Sequence, residues 1–163
     1  MNEEKKTVEI IVSKSYKVTI DEEDYGRVMN GKWYMDTNTG YTRGILNDKY
    51  VALHRLIMDA SRGMIVDHID HNRRNNSKSN LRVCTASENQ WNISKTSSRT
   101  SSKHKGVSWS KSKERWIVTI KKDRKQHYIG SYKNEDNAGR AYNEAAQKMF
   151  GKFANTNIFE DEV

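Results

Sequence analysis

Short runs of β-branched residues alternate with turn signals through the first fifty positions. T-V-E-I-I-V over 7–12 and Y-K-V-T-I over 16–20 predict two strands. Asp21 then precedes E-E-D-Y-G-R-V-M, where acids come first, and this predicts a short helix capped by Asp21. Further strands are predicted over 32–35, 40–46 and 49–54, separated by D-T-N-T-G and N-D turns. No chemistry is visible in residues 1–49, so they read as a β-rich scaffold, with DNA contact as a lesser role.

The C-terminal part has a different rhythm. Strands are predicted over 106–109, 115–121 and 126–132. In the middle one Trp116, Val118 and Ile120 fall on one face, and Arg115, Ile117, Thr119 and Lys121 on the other. A helix is predicted from Asn134, a good N-cap, with Glu135 and Asp136 at the positive end of its dipole. Ala138, Ala141, Tyr142, Ala145 and Met149 form its apolar stripe, and Gly151 ends it. Small alanines let this helix lie against the Trp116 face and leave the basic face open. Between the two parts, residues 94–103 contain seven Ser/Thr, three basic residues and no acid, which reads as a basic linker. Residues 159–163 read as an acidic tail.

Composition narrows the picture. The chain has 163 residues, only 34% hydrophobic and 31% charged, so small modules fit better than one large core. Net charge is +8, and residues 95–133 alone hold 12 basic and 2 acidic residues. A concentration of that kind suggests a polyanion such as nucleic acid, although a solvated basic face has the same composition. Cys84 is the single cysteine, which excludes an internal disulfide and a zinc site of paired cysteines, and fits a reducing compartment. The N-terminus lacks the apolar region of a signal peptide, and no apolar run is long enough for a membrane span. The expected location is the cytoplasm.

V-D-H-I-D-H-N-R-R-N-N-S-K-S-N-L-R-V-C-T-A-S-E-N, from Val66 to Asn89, crowds imidazoles, carboxylates and amides together. It is either a polar loop of turn-forming residues or a site. As a site it suits phosphodiester hydrolysis. A neutral His takes a proton from water, and a hard divalent cation held by a carboxylate and an amide oxygen stabilises the leaving oxygen. If extended, Asp67 and His68 point in opposite directions.

L-H-R-L-I-M, V-D-H-I-D-H-N-R-R-N-N and S-N-L-R-V-C-T-A-S-E-N-Q-W-N closely resemble the HNH homing-endonuclease motif, a ββα-metal nuclease fold, over about residues 50–93. The resemblance implies His68 as general base and Asp67 as metal ligand. It also implies Asn80 as a brace that helps orient the base, and Asn89 as a second metal ligand. His71 stands where relatives often have Gly and reads as a turn residue. His54 matches a recurring position and reads as packing or phosphate contact. Asp70, Asn75 and Asn76 read as loop-shaping, and Arg73, Arg74 and Arg82 as candidate phosphate contacts.

H-K-G-V-S-W-S, W-I-V-T-I, Y-I-G-S-Y, A-G-R-A-Y-N-E-A-A and A-N-T-N resemble an APETALA2-type DNA-binding domain over about 104–158, a three-stranded sheet backed by one helix. That implies groove-facing positions at Lys105, Ser108, Ser110, Thr119, Lys121, Gln126 and Tyr128, with Trp109, Lys111 and Arg115 nearby. Ser, Thr and Lys stand where plant members tend to carry Arg, so phosphate and shape recognition should outweigh guanine readout.

The expected fold is therefore α+β: an N-terminal mixed region, a ββα-metal nuclease motif, and a three-stranded sheet on one helix. The expected function is a DNA endonuclease of the phage or mobile-element kind, dependent on one divalent cation, Mg²⁺ or Mn²⁺. Its expected partner is double-stranded DNA, with no membrane and no small-molecule cofactor, as monomer or dimer. The alternative is a non-catalytic DNA-binding protein with a vestigial nuclease motif. RNA fits less well, because its A-form major groove is too narrow for a sheet.

Overall fold

The structure is a computed structural model and describes residues 6–13, 15–92 and 101–159. It is α+β, with several small antiparallel sheets and few helices. The chain divides into two compact units, residues 1–86 and 87–163.

The first unit opens with a hairpin of β1 (Thr7–Val12) and β2 (Tyr16–Asp21). Period-two alternation turns Ile10, Val12, Val18 and Ile20 inward, and all four are buried. A 3-10 turn over Glu22–Asp24 leads into α1 (Tyr25–Met29), where Val28 is buried. Asp21 is extended and makes no side-chain cap. Its carboxylate instead accepts from Lys78 N at 2.9 Å, so a tertiary contact displaces the expected local one.

β3 (Lys32–Asp36), β4 (Tyr41–Leu46) and β5 (Lys49–Ala52) form a meander in that order. Trp33 lies over Gly44 and donates its indole N–H to Val28 O at 2.6 Å. A Cβ at Gly44 would fall 2.5 Å from Lys32 O and 2.6 Å from that indole, so only glycine admits the ring.

The predicted strand over 49–54 stops at Ala52, and Leu53–Ile57 forms α2. The reason is the spacing of Leu53 and Ile57, which buries both on one helical face. β6 (Ile65–His68) and β7 (Leu81–Cys84) then pair across an intervening loop. Val66 and Leu81 join Ile10, Val18, Ile20, Val28 and Leu53 in one core. Ile10, Val18, Ile20 and Val28 of the expected 1–49 scaffold thus share a core with the β6–β7 hairpin. Each fully buried aliphatic side chain there contributes roughly 1.5–3 kcal/mol.

In the second unit α3 (Ala86–Trp91) packs through Trp91, whose ring stacks on Phe150 at 4.7 Å and whose carbonyl accepts from Lys105 Nζ at 3.1 Å. These contacts group residues 87–92 with the C-terminal part, so the break falls before the boundary expected near 93.

β8 (Val107–Ser110), β9 (Arg115–Lys122) and β10 (Lys125–Tyr132) form an antiparallel sheet with β9 central. It is backed by α4 (Glu135–Phe150). Asn134 caps α4 by accepting from Asn137 N at 2.9 Å. The buried line along α4 is Ala138, Tyr142, Ala146 and Phe150, one position round from the predicted stripe at its C-terminal end. Gly106 has φ +74°, and a Cβ there would lie 2.1 Å from the Tyr142 ring, so both backbone and packing require glycine.

Of the expected linker, residues 94–100 lie outside the described residues. Ser102 and His104, in contrast, are buried beside α4, and Glu135 accepts from Ser102 Oγ at 2.7 Å and Lys103 N at 2.8 Å. Of the expected acidic tail, Phe159 is buried against the His104 ring, and residues 160–163 lie outside the described residues. Among the described residues no helix is long and apolar enough to cross a membrane.

Candidate active site and nucleic-acid interface

The β6–β7 register sets the first-unit site. Asp67 pairs with Arg82 and His68 with Leu81, so the two adjacent residues occupy opposite faces of the hairpin. Arg82 Nε and Nη2 both donate to Asp67 Oδ2, at 3.0 and 2.7 Å. Arg82 is therefore committed to Asp67, where the sequence made it a candidate phosphate contact.

The loop over 69–80 is rigidified from within. Asn80 Oδ1 accepts from Asp70 N at 3.0 Å, and its Nδ2 donates to Asp70 Oδ1 and Asn75 O, both at 2.8 Å. Asp70 also accepts from Asn72 N at 2.7 Å and Asn75 Nδ2 at 3.0 Å. Burial opposes the Asp70 charge, but the hydrogen bonds from Asn72, Asn75 and Asn80 outweigh it and hold the carboxyl below its usual range. His71 has φ +63°, the left-handed conformation that glycine adopts without strain.

The same loop is fastened to β2 from outside. Thr19 N donates to Arg74 O and Asn76 N donates to Thr19 O, each at 2.8 Å. Lys78 Nζ pairs with Glu23 at 2.7 Å and with Asp24 at 3.0 Å. The N-terminal hairpin thus braces the loop, a function that its sequence did not advertise. The Asp21, Glu23 and Asp24 carboxylates cluster there, and Lys78 answers their charge.

His68 is only 4% exposed. Its Nε2 lies 3.3 Å from Asn76 Oδ1, and its ring centroid lies 5.3 Å from His54 and 5.9 Å from Tyr41. Burial pushes the His68 imidazole below its ordinary pKa, outweighing the Asn76 hydrogen bond and the charges of Asp70 and Asp67 that favour protonation. The ring is therefore neutral near pH 7, as a proton acceptor must be.

His54, on α2, is buried, and its Nδ1 has no hydrogen-bond partner. Burial, followed by the charges of His68, Arg55, Arg43 and Arg73, pushes it down to about 3. His54 is thus neutral, with its ring packed against Tyr41 and His68. Arg73 covers Tyr41 at 4.5 Å and donates to Thr39 O. Sequence reasoning missed Tyr41 and gave Asn76 only a loop-shaping part. The pairing of Asn76 with His68 is made by the folded loop, not by spacing.

In the second unit, Asn89 lies on α3. The β8–β9–β10 register puts Ser108, Ser110, Arg115, Thr119, Lys121, Gln126 and Tyr128 on the sheet face away from α4. Lys111 begins the exposed turn after β8. The nearby candidate Trp109 and the expected groove residue Lys105 lie elsewhere. Trp109 shares the opposite face with Trp116, ring to ring at 5.1 Å. Lys105 donates its ammonium to Trp91 O, and burial lowers it to about 8. A lysine just before a strand shows no sign in sequence of which way its flexible stem will turn.

Residues 51–91 match the HNH endonuclease family. The chain thus carries an HNH endonuclease domain on a mixed α+β fold, and its matched relatives are viral. One, described as an uncharacterized HNH endonuclease of Acanthamoeba polyphaga mimivirus, is 36% identical over 77% of this chain and 66% of its own length. Another, Protein 3.8 of Escherichia phage T7, is 44% identical over 43% of this chain and 57% of its own.

Proposed function

We propose that this protein is a divalent-metal-dependent DNA endonuclease of the homing type. Its HNH domain cuts, and its C-terminal sheet, an APETALA2-type module, holds the DNA. The observation that carries the reading is His68, neutral and buried at the end of β6 against Asn76 of the following loop, within the stretch that matches the HNH family.

His68 accepts a proton from water as the water oxygen attacks phosphorus. One P–O bond of the phosphodiester breaks, and the departing oxygen takes a proton from solvent. Positioned general-base catalysis of this kind contributes about 10²–10⁴-fold. Asn80 keeps the loop in shape through Asp70 and Asn75.

The donor chemistry fits a hard cation, Mg²⁺ or Mn²⁺. Asp67 would offer it a carboxylate oxygen, Asn89 is the second oxygen donor that the motif resemblance implies, and a bound cation would neutralise charge on the departing oxygen. A carboxylate has about four lone-pair positions, so one Asp67 carboxylate can accept from Arg82 and also ligate a cation.

Arg115 and Lys121 supply phosphate contacts from the open sheet face, and Ser108, Ser110, Thr119, Gln126 and Tyr128 face the groove of double-stranded DNA. The test is cleavage of supercoiled plasmid with Mg²⁺, Mn²⁺ or EDTA, beside the His68→Ala protein. Metal-dependent nicking or linearisation that disappears in the variant is expected. A plasmid that is bound but uncut under every condition would leave a DNA-binding protein with a vestigial nuclease motif.

A further inference from the structure

The β3–β4–β5 meander turns Trp33 and Met35 toward the core of the first unit and leaves its other face open. Tyr34 of β3, Arg43 of β4 and Tyr50 of β5 stand on that open face, in that order across the sheet. Tyr50 is 80% exposed and Tyr34 42%, so their rings add little to the core. The three line a cleft of about 470 Å³, which α2 and β6 close with His54, Arg55 and Val66. Its volume falls in the range of roughly 300–1,000 Å³ that holds small ligands.

Charge and chemistry select the occupant. Arg43 and Arg55 line the cleft and, among the described residues, no acid does. Arg55 is fixed on the carbonyls of Ala60, Ser61 and Met64 and supplies charge alone. Arg43 pairs with Asp36 through Nε at 3.1 Å, which leaves the N–H groups of its terminal nitrogens to a phosphate. Exposed rings on either side of such a cation match an unpaired nucleic-acid strand, whose bases stack and whose phosphates pair. The cleft also adjoins the candidate catalytic residues. Tyr41, in its wall, has its ring centroid 5.9 Å from His68, and Val66 precedes Asp67 on β6.

We propose that this face binds an unpaired stretch of the DNA strand beside the bond that is cut. Arg43 takes a phosphate, and Tyr34 and Tyr50 on either side of it each take the face of a base. The place beside the cut rests on the nuclease reading above; the binding of an unpaired strand does not.

The experiment measures, by fluorescence anisotropy on the full chain in EDTA, the affinity for a labelled oligothymidylate of about eight nucleotides. Tyr50→Ala and Arg43→Ala should each weaken binding about tenfold, and Tyr50→Phe, which keeps the ring, should bind as the wild type does. The same oligonucleotide carrying 5-iododeoxyuridine should photocrosslink to Tyr34 or Tyr50, mapped by mass spectrometry. Crosslinks confined to the second unit would overturn the proposal, and so would Tyr50→Ala and Arg43→Ala proteins that bind like the wild type. An oligomer that dissociates in Tyr50→Ala while affinity stays the same would give the face to a second copy of the chain instead. The two readings fail separately. A protein that shows these losses in EDTA but never cuts plasmid keeps the cleft and loses the nuclease reading. One that cuts plasmid, while both variants bind and cut as the wild type does, loses the cleft alone.

Discussion

His54 allows the packing of the first unit to be tested through protons. Its ring is 8% exposed, its Nδ1 lacks a partner, and its pKa is pushed down to about 3. In an unfolded chain an imidazole titrates near about 6.5. The folded value is the lower one, so between the two values the unfolded chain binds more protons than the folded one. Above about pH 6.5 His54 adds no pH dependence, and as the pH falls toward about 3 stability is lost. Each pH unit within that window costs about 1.4 kcal/mol. Acidification from neutrality to about pH 4.5 covers roughly two such units, or about 2.7 kcal/mol through this residue.

Carboxylates titrate over part of the same range, so a reference protein is needed. His54→Phe keeps a ring against Tyr41 and His68 and removes both the proton site and the unpartnered nitrogen. Urea melts followed through methyl signals of Ile10, Ile20 and Leu53 report on the core that His54 adjoins. Between neutrality and about pH 4.5 the variant should lose about 2.7 kcal/mol less than the wild type. Equal losses in the two proteins would refute the reasoning, since His54 would then titrate alike in the folded and unfolded chains.

Three further outcomes are expected. The acid limb of cleavage should lie below the ordinary imidazole range, because burial lowers His68 and keeps it neutral to lower pH; a pH–rate profile that falls already above about pH 6.5 would contradict this. Arg82→Ala should destabilise the protein by about 3 kcal/mol in urea melts, since the Arg82 and Asp67 side chains are 9% and 12% exposed and one charge would be left unpaired; a cost under about 1 kcal/mol would place the pair in the surface class. Arg115→Ala and Lys121→Ala should each weaken DNA binding and reduce the salt slope by about one, while Lys105→Ala should leave that slope unchanged and lower stability; titrations at several salt concentrations distinguish these.

Some of these features were legible one residue at a time. The alternation in 115–121 placed Arg115, Thr119 and Lys121 on one face and Trp116, Val118 and Ile120 on the other, and the register agrees. Strand position alone sets that outcome. Asn134 as a cap was equally local. The motif residues Asp67, His68, Asn80 and Asn89 stood out through resemblance and spacing. Lys105 and Asp21 each had a plausible local role that a more distant partner displaced: Trp91 O and Lys78 N.

By itself, then, the sequence determined the strands, the α4 helix, the basic sheet face and the identity of the HNH motif. The elements follow from periodicity, capping and residue type within a few positions of chain, and the motif from its resemblance to a known family. Only the tertiary structure decided that Asp67 faces Arg82, that His54 is a neutral packing residue, and that Asn76, held against Thr19 of β2, meets His68. Such pairings depend on which distant segments share a core. Side chains as versatile as Asn, His and Arg take their donor and acceptor roles from whatever packing brings within reach.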